Sequence, residues 1–128
     1  MVELGARMGG DCITTHLVPL STGIDMIKAT IDIACGNDPD IEPKFSKGSA
    51  IRYFDVPCGV IKSIDGVEEA KIIDGVKEIS FTKHMGDTVG EIGSSVDRVG
   101  FVITQSDKTC NAVKICEKSL NTIRIDVE

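Results

Sequence analysis

The sequence predicts an α+β domain: an N-terminal strand and helix pair, then an antiparallel sheet with helices packed on it. Three observations carry this. Short runs rich in Val, Ile and Phe recur in the second half at strand length, two segments show apolar residues at helical spacing, and Gly, Pro and Asp clusters separate them. At 128 residues and 13.7 kDa the chain has the size of one domain, large enough to bury a real core. Apolar residues make up 41% and charged residues 27%, a balance that argues against disorder.

Residues 1–4 read as the end of a strand that runs into Gly5-Ala6-Arg7-Met8-Gly9-Gly10-Asp11. A helical segment over about 11–17 is expected to break at Pro19. A longer helix opens at Ser21 or Thr22, with Asp25 placed as in a capping box. Its apolar stripe is Ile24, Ile27, Ile31 and Ala34, and Gly36 stops it. Residues 37–48 form a polar, Pro-punctuated connection, the clearest internal boundary, so the chain divides into 1–48 and 49–128.

In the second part, residues 50–56 read as a strand, and Pro57-Cys58-Gly59 turns it into another over 60–64. A short helix over 66–72 stops at Asp74-Gly75, and strands follow over 76–81 and 99–104. The loop region between those two holds a short extended piece of its own. A helix capped at Ser106 or Asp107 places Ala112, Val113, Cys116 and Leu120 on one face, and 123–127 closes as a strand. The strands are expected to pair mainly as hairpins, with helices inserted between pairs.

Charge and cysteine usage exclude several classes. The net charge of −6 disfavours broad attraction to nucleic acid or an anionic membrane. No apolar run approaches the roughly 20 residues of a membrane span, and the opening Met-Val-Glu-Leu-Gly does not read as a secretory signal. Five cysteines without CxxC or CxxH spacing do not form a zinc motif and read as free thiols of a cytoplasmic protein. Cys110 and Cys116 are six apart and point to different sides of their helix. His16 and His84 read as structural or surface histidines, Asp97-Arg98 as a surface charge pair, and Glu68-Glu69-Lys71 as a solvated helix face.

The densest chemistry lies in Glu3-Leu4-Gly5-Ala6-Arg7-Met8-Gly9-Gly10-Asp11. In an extended strand Glu3, Gly5 and Arg7 share a side. A carboxylate can hold Mg²⁺, an arginine can clamp phosphate or carboxylate oxygens with two hydrogen bonds, and Gly9-Gly10 clears the backbone for close approach of a ligand. That combination suits phosphoryl or acyl-phosphate chemistry. The same run also reads as a strand end, a solvated ion pair and a glycine turn.

Extended through Cys12-Ile13 and His16-Leu17-Val18-Pro19-Leu20-Ser21-Thr22-Gly23, this stretch resembles the last metal-binding strand of ATP-grasp ligases, and the run from Leu20 to Gly36 resembles that family's ensuing helix. It is most similar to the branch of L-amino-acid ligases and carbamoyl-phosphate-synthase-like proteins, and residues from Ser49 onward resemble the C-terminal subdomain of those enzymes. The resemblance implies an ATP-dependent carboxylate–amine ligase acting through an acyl phosphate, with ATP and Mg²⁺ as cofactors. Glu3 would be a metal ligand, Arg7 catalytic, and Arg7, Gly9, Gly10 and Asp11 substrate-binding. Gly5 stands where the family has a metal-ligating Asn, so the second metal contact would fall to Asp11 or water.

The phosphate loop, adenine-binding lysines and N-terminal lobe of such enzymes have no match here. The chain is therefore expected to be a C-terminal piece, inactive alone, whose partners are the remainder of the enzyme and small carboxylate and amine substrates. Two other readings stay open: a structural or dimerisation module of an ATP-grasp protein, and a freestanding small-ligand-binding domain. The apolar stripes of residues 1–36 are expected to face an absent domain, leaving the isolated chain to form homo-oligomers or keep that region mobile.

Overall fold

A computed structural model describes residues 7–128; the expected strand over 1–4, with Glu3 and Gly5, lies outside them. The described chain begins with a π-helix, Ile13–Leu17, that passes directly into helix α1, Val18–Thr22. Helix α2 follows at Met26–Ala34. Strands β1 (Gly48–Tyr53) and β2 (Gly59–Asp65), helix α3 (Val67–Lys71), β3 (Val76–Phe81) and the short β4 (Thr88–Val89) come next. A 3₁₀ turn at Ser95–Asp97, β5 (Gly100–Ser106), helix α4 (Thr109–Thr122) and β6 (Arg124–Val127) complete it.

The α+β class holds, with every strand pair among the described residues antiparallel, but the connectivity differs from hairpins. One sheet has the order β1-β5-β3 and the other β4-β2-β6. None of these pairs joins strands that follow one another in the chain. The cause lies in β5, whose Val102, Ile103 and Thr104 are all fully buried. A strand apolar on both faces takes the centre of a sheet, so β1 and β3 flank it. Pro57-Cys58-Gly59 therefore carries the chain from one sheet to the other instead of closing a hairpin. At Gly59 the backbone meets the C-terminus, where Val60 N donates to Glu128 O at 2.8 Å.

Strand periodicity gives the first sheet two different faces. Register pairs Ala50 with Thr104 and Arg52 with Val102, and α4 covers this side. There Thr104 Oγ1 donates to Ala112 O at 2.7 Å and Cys116 Sγ contacts Val102 O at 3.2 Å. Ala112, Cys116 and Ser119, all small and fully buried, form the helix stripe that allows this close approach. Phe54 and Phe81 stack at 5.0 Å within the same core, which also includes Ile61, Val89, Val99 and Ile123.

The opposite face carries Ser49, Ile51 and Tyr53 of β1 beside Gln105, Ile103 and Phe101 of β5. The N-terminal segment lies over it. Ser49 Oγ donates to Leu17 O at 3.0 Å, Gln105 Nε2 to Leu20 O at 2.5 Å, and His16 Nε2 lies 3.0 Å from Glu78 Oε2. The result is three layers: N-terminal helical segment, sheet, and α4.

Three boundaries differ from expectation. Pro19 does not break the first helix but sits in the first turn of α1, where its missing N–H is harmless, and Gly23 (φ 77°) ends the helix instead. Asp25 is not the third residue of a capping box but the N-cap itself, its carboxylate accepting from Lys28 N at 2.9 Å. Helix α4 opens after Lys108, one or two residues later than expected.

Candidate active-site wall

The glycine-rich run bends sharply before the π-helix. Asp11 (φ 50°) and Cys12 (φ 62°) are both left-handed, a conformation that is unfavourable for side-chain-bearing residues and persists only where surroundings enforce it. Several contacts do so. Ile13 N donates to Gly10 O at 3.0 Å, and the buried Thr14 donates through Oγ1 to Gly9 O at 2.9 Å. Cys12 O accepts from both His16 N and Leu17 N at 3.0 Å, the wide turn of a π-helix, a form enriched at functional sites.

The sheet supplies the rest of the support. Arg98, between the 3₁₀ turn and β5, lies with its guanidinium carbon 3.9 Å from the centre of the Tyr53 ring, and its Nη1 is 3.1 Å from Asp11 Oδ1. The buried Nη1 makes no aligned hydrogen bond, so the contact to Asp11 is an ion pair. Tyr53 Oη also points at Asp11 O, at 3.5 Å. Burial, and then the charge of Asp11, raise the Tyr53 hydroxyl above its ordinary range. Burial likewise raises the Cys12 thiol, with Glu78 and Asp11 adding to it, which leaves this cysteine a poor nucleophile at neutral pH. Beside the ion pair is a cleft of about 180 Å³ lined by Cys12, Tyr53, Val96, Arg98 and Phe101.

This corrects the reading of Asp97-Arg98 as a mutual surface pair. Asp97 closes its own turn, accepting from Ser94 N at 2.8 Å and Ser94 Oγ at 2.9 Å, and these bonds hold its carboxyl below the ordinary range. Arg98 turns the other way, to Asp11. Sequence reasoning did not find Arg98 or Tyr53 as part of this wall. Strand parity puts Tyr53 on the covered face, but the pairing of Arg98 with Asp11 is a long-range contact with no local signature.

Of the residues expected to act, Arg7, Gly9, Gly10 and Asp11 lie in one exposed run. Arg7 Nη1 donates to Met8 O at 3.2 Å. A side chain at Gly10 would meet only open space, whereas one at Gly9 would press on Ile13 at 3.1 Å. Gly9 thus serves internal packing, and Gly10 leaves the approach to the backbone open. Glu3 lies outside the described residues. Among the described residues no group of three or more His, Cys, Asp or Glu side chains is placed to hold a metal ion, and Asp11 is turned to Arg98. The described residues by themselves therefore do not fit a Mg²⁺ site. Also among them, no helix is long and apolar enough to cross a membrane.

Comparison with known proteins follows the same lines. The chain is similar in structure to the L-amino acid ligase of Bacillus licheniformis, with TM-score 0.76 and 21% identity over 97% of this chain and 31% of that one. It is also similar to phosphoribosylglycinamide synthetase of Anaerococcus prevotii, with TM-score 0.75 and 22% identity over 95% of this chain and 32% of the other. Among curated proteins it is 24% identical over 124 residues to the uncharacterized protein y4rH of Sinorhizobium fredii (strain NBRC 101917 / NGR234). It spans 96% of this chain but 26% of that relative. Both solved structures share the fold of this chain, which spans about a third of each. The family of L-amino acid ligase C-terminal domain 2 matches residues 52–128, more than half of the sequence, and the chain belongs to that family.

Proposed function

We propose that this chain is the C-terminal part of an ATP-dependent carboxylate–amine ligase that joins amino acids through an acyl-phosphate intermediate. On this reading residues 1–48 end the ATP-grasp core and 49–128 form the C-terminal subdomain. The observation that supports it most is the shape of the run from Arg7 to Cys12. An exposed guanidinium is followed by an open glycine and then by a left-handed pair anchored to the sheet beneath. Arg7 would grip the substrate carboxylate and the transferring phosphoryl oxygens with its two-pronged geometry. The Gly9–Asp11 backbone would line the substrate side. The carboxylate oxygen bonds to the γ-phosphorus as the bond to ADP breaks, and the amine then displaces phosphate from the acyl carbon. Arg7 stabilises the charge that builds on the phosphoryl oxygens in the first step. In the intact enzyme ATP and Mg²⁺ are the cofactors, and Glu3 is the proposed metal ligand.

A role in holding the remainder of the enzyme is favoured by α2, whose Ile27, Ile31 and Ile33 are exposed, as are Met8 and Ile13 nearby. We place the Ile27–Ile31 face against the rest of the ATP-grasp core.

Phosphate release tests the reading. The complete protein that carries this chain should release phosphate from ATP only when carboxylate and amine substrates are both present. No phosphate release with any amino-acid pair contradicts it. The 128-residue chain alone should bind Mg-ATP negligibly; micromolar affinity in a calorimetric titration, abolished by Glu3→Gln, contradicts the claim that it is inactive alone.

A further inference from the structure

We propose that Arg98, stacked on Tyr53, is a positioning residue that latches the Asp11–Cys12 turn and thereby sets the aim of the Gly9–Gly10 backbone and of Arg7. The proposal rests on the ligase reading above and extends it to a residue of the C-terminal subdomain.

Three features of the geometry carry it. Asp11 and Cys12 are two successive left-handed residues, a conformation that Cys12 in particular does not favour, and contacts from outside the turn add to the local hydrogen bonds that hold them there. The holding contacts reach across the fold: the Arg98–Asp11 ion pair at 3.1 Å and the Tyr53 hydroxyl at the Asp11 carbonyl. Arg98 is itself fixed, because its guanidinium carbon lies 3.9 Å over the centre of the Tyr53 ring and Thr82 Oγ1 donates to its carbonyl oxygen. The ring is held in turn by Phe101 in an edge contact at 6.3 Å. A chain of packed groups thus runs from the centre of the sheet to the residue that follows Gly10. Lysine in place of Arg98 would keep the charge toward Asp11 but lose the planar stack.

The test is steady-state kinetics of the complete protein, with ATP and amino-acid substrates varied separately. Arg98→Gln is expected to lower kcat/KM for the amino acid by about tenfold to a hundredfold, the scale of a small misplacement of reacting groups. The KM for ATP should stay within about twofold, and Arg98→Lys should fall between wild type and Arg98→Gln. If the two residues act as one latch, Asp11→Asn combined with Arg98→Gln loses no more than the worse single change. Wild-type amino-acid kinetics in a folded Arg98→Gln protein overturn the proposal, as do fully additive losses in the double variant. Should Arg98→Gln fail to fold, Arg98→Lys decides, since unchanged kinetics there show that the stack does not position the turn. If wild type itself shows no ATP-dependent turnover, the ligase reading fails and this proposal with it; turnover with unaffected Arg98 variants defeats this proposal alone.

Discussion

The body built from the two sheets and α4 closes its own core, whereas helix α2, ahead of β1, leaves Ile27, Ile31 and Ile33 exposed. In the body Ile61, Val102 and Ile103 are at most 1% exposed, and exposed apolar residues such as Ile72 and Met85 stand outside the strands and helices. In α2, by contrast, Ile31 is 57% and Ile33 62% exposed on one short helix, and only Ala29 is buried. The Lys28–Asp32 ion pair at 2.5 Å lies within α2 and does not tie it to another element. The difference shows which contacts this sequence completes within the chain. The body buries its own core, while the N-terminal segment is linked to the sheet by polar contacts and leaves isoleucines of α2 exposed.

Two isoleucines give the sharpest test of that contrast. Ile103→Ala in the 128-residue chain should cost about 2–5 kcal/mol in urea unfolding, because it leaves a cavity beneath the covered face. Ile31→Ala should stay within about 0.5 kcal/mol. Repeating both in the complete protein should leave the Ile103 value in place and raise that of Ile31 if another part of the molecule covers α2. Equal costs in the isolated chain would break the distinction.

Two glycines refine it. Gly66 (φ 79°) and Gly36 (φ 76°) share a left-handed backbone, but a Cβ at Gly66 would fall 2.2 Å from Thr122 O, and one at Gly36 would meet nothing within 4 Å. Gly36→Ala should therefore cost only the backbone strain, about 1–2 kcal/mol. Gly66→Ala should exceed it by about 1–3 kcal/mol, since the C-terminal end of α4 must shift. Chemical denaturation of the two variants side by side decides the point.

Much of the body was legible in the sequence because its signals are local. The apolar run of β5 announces a buried strand, the Ala112/Cys116 spacing announces the face of α4, and Cys110 and Cys116 do part company across the helix, one exposed and one buried. Strand pairing was not legible. Which edge β2 offers to β4 and β6 depends on the long connections between them, and a turn such as Pro57-Cys58-Gly59 looks the same whether it closes a hairpin or changes sheets. At the site, the Arg7–Gly10 run stands out by residue type and spacing alone. Its underpinning by Arg98 and Tyr53 does not, because an ion pair that joins two distant stretches leaves no period or motif in either. Asp11 shows the consequence: a carboxylate available to a metal in the sequence is committed to Arg98 in the fold.

A smaller effect separates the thiols of the two regions. Burial raises the Cys116 thiol above its ordinary range, so the folded protein keeps it protonated where the unfolded chain would ionise it. The resulting stabilisation is full below about pH 8.5 and declines as pH rises through the raised value. Unfolding midpoints should fall more steeply between pH 8 and 10, on the order of these ordinary thiol values, in wild type than in Cys116→Ala. At neutral pH a bulky thiol reagent should label the exposed Cys35 promptly and Cys116 only as the body opens. Matching labelling rates would show that the body is as loose as α2.

The most direct test of the proposed site is Arg7→Lys in the complete protein. An arginine that only pairs at the surface contributes about 0–1 kcal/mol and tolerates lysine. One that clamps a planar carboxylate or phosphoryl group loses its fork geometry, and removal of such a donor typically lowers kcat by roughly 10²–10³, about 3–4 kcal/mol. The account predicts a fall of that order in ATP-dependent ligation, with the melting temperature essentially unchanged. Wild-type turnover in Arg7→Lys would contradict it and leave the glycine-rich run a structural turn.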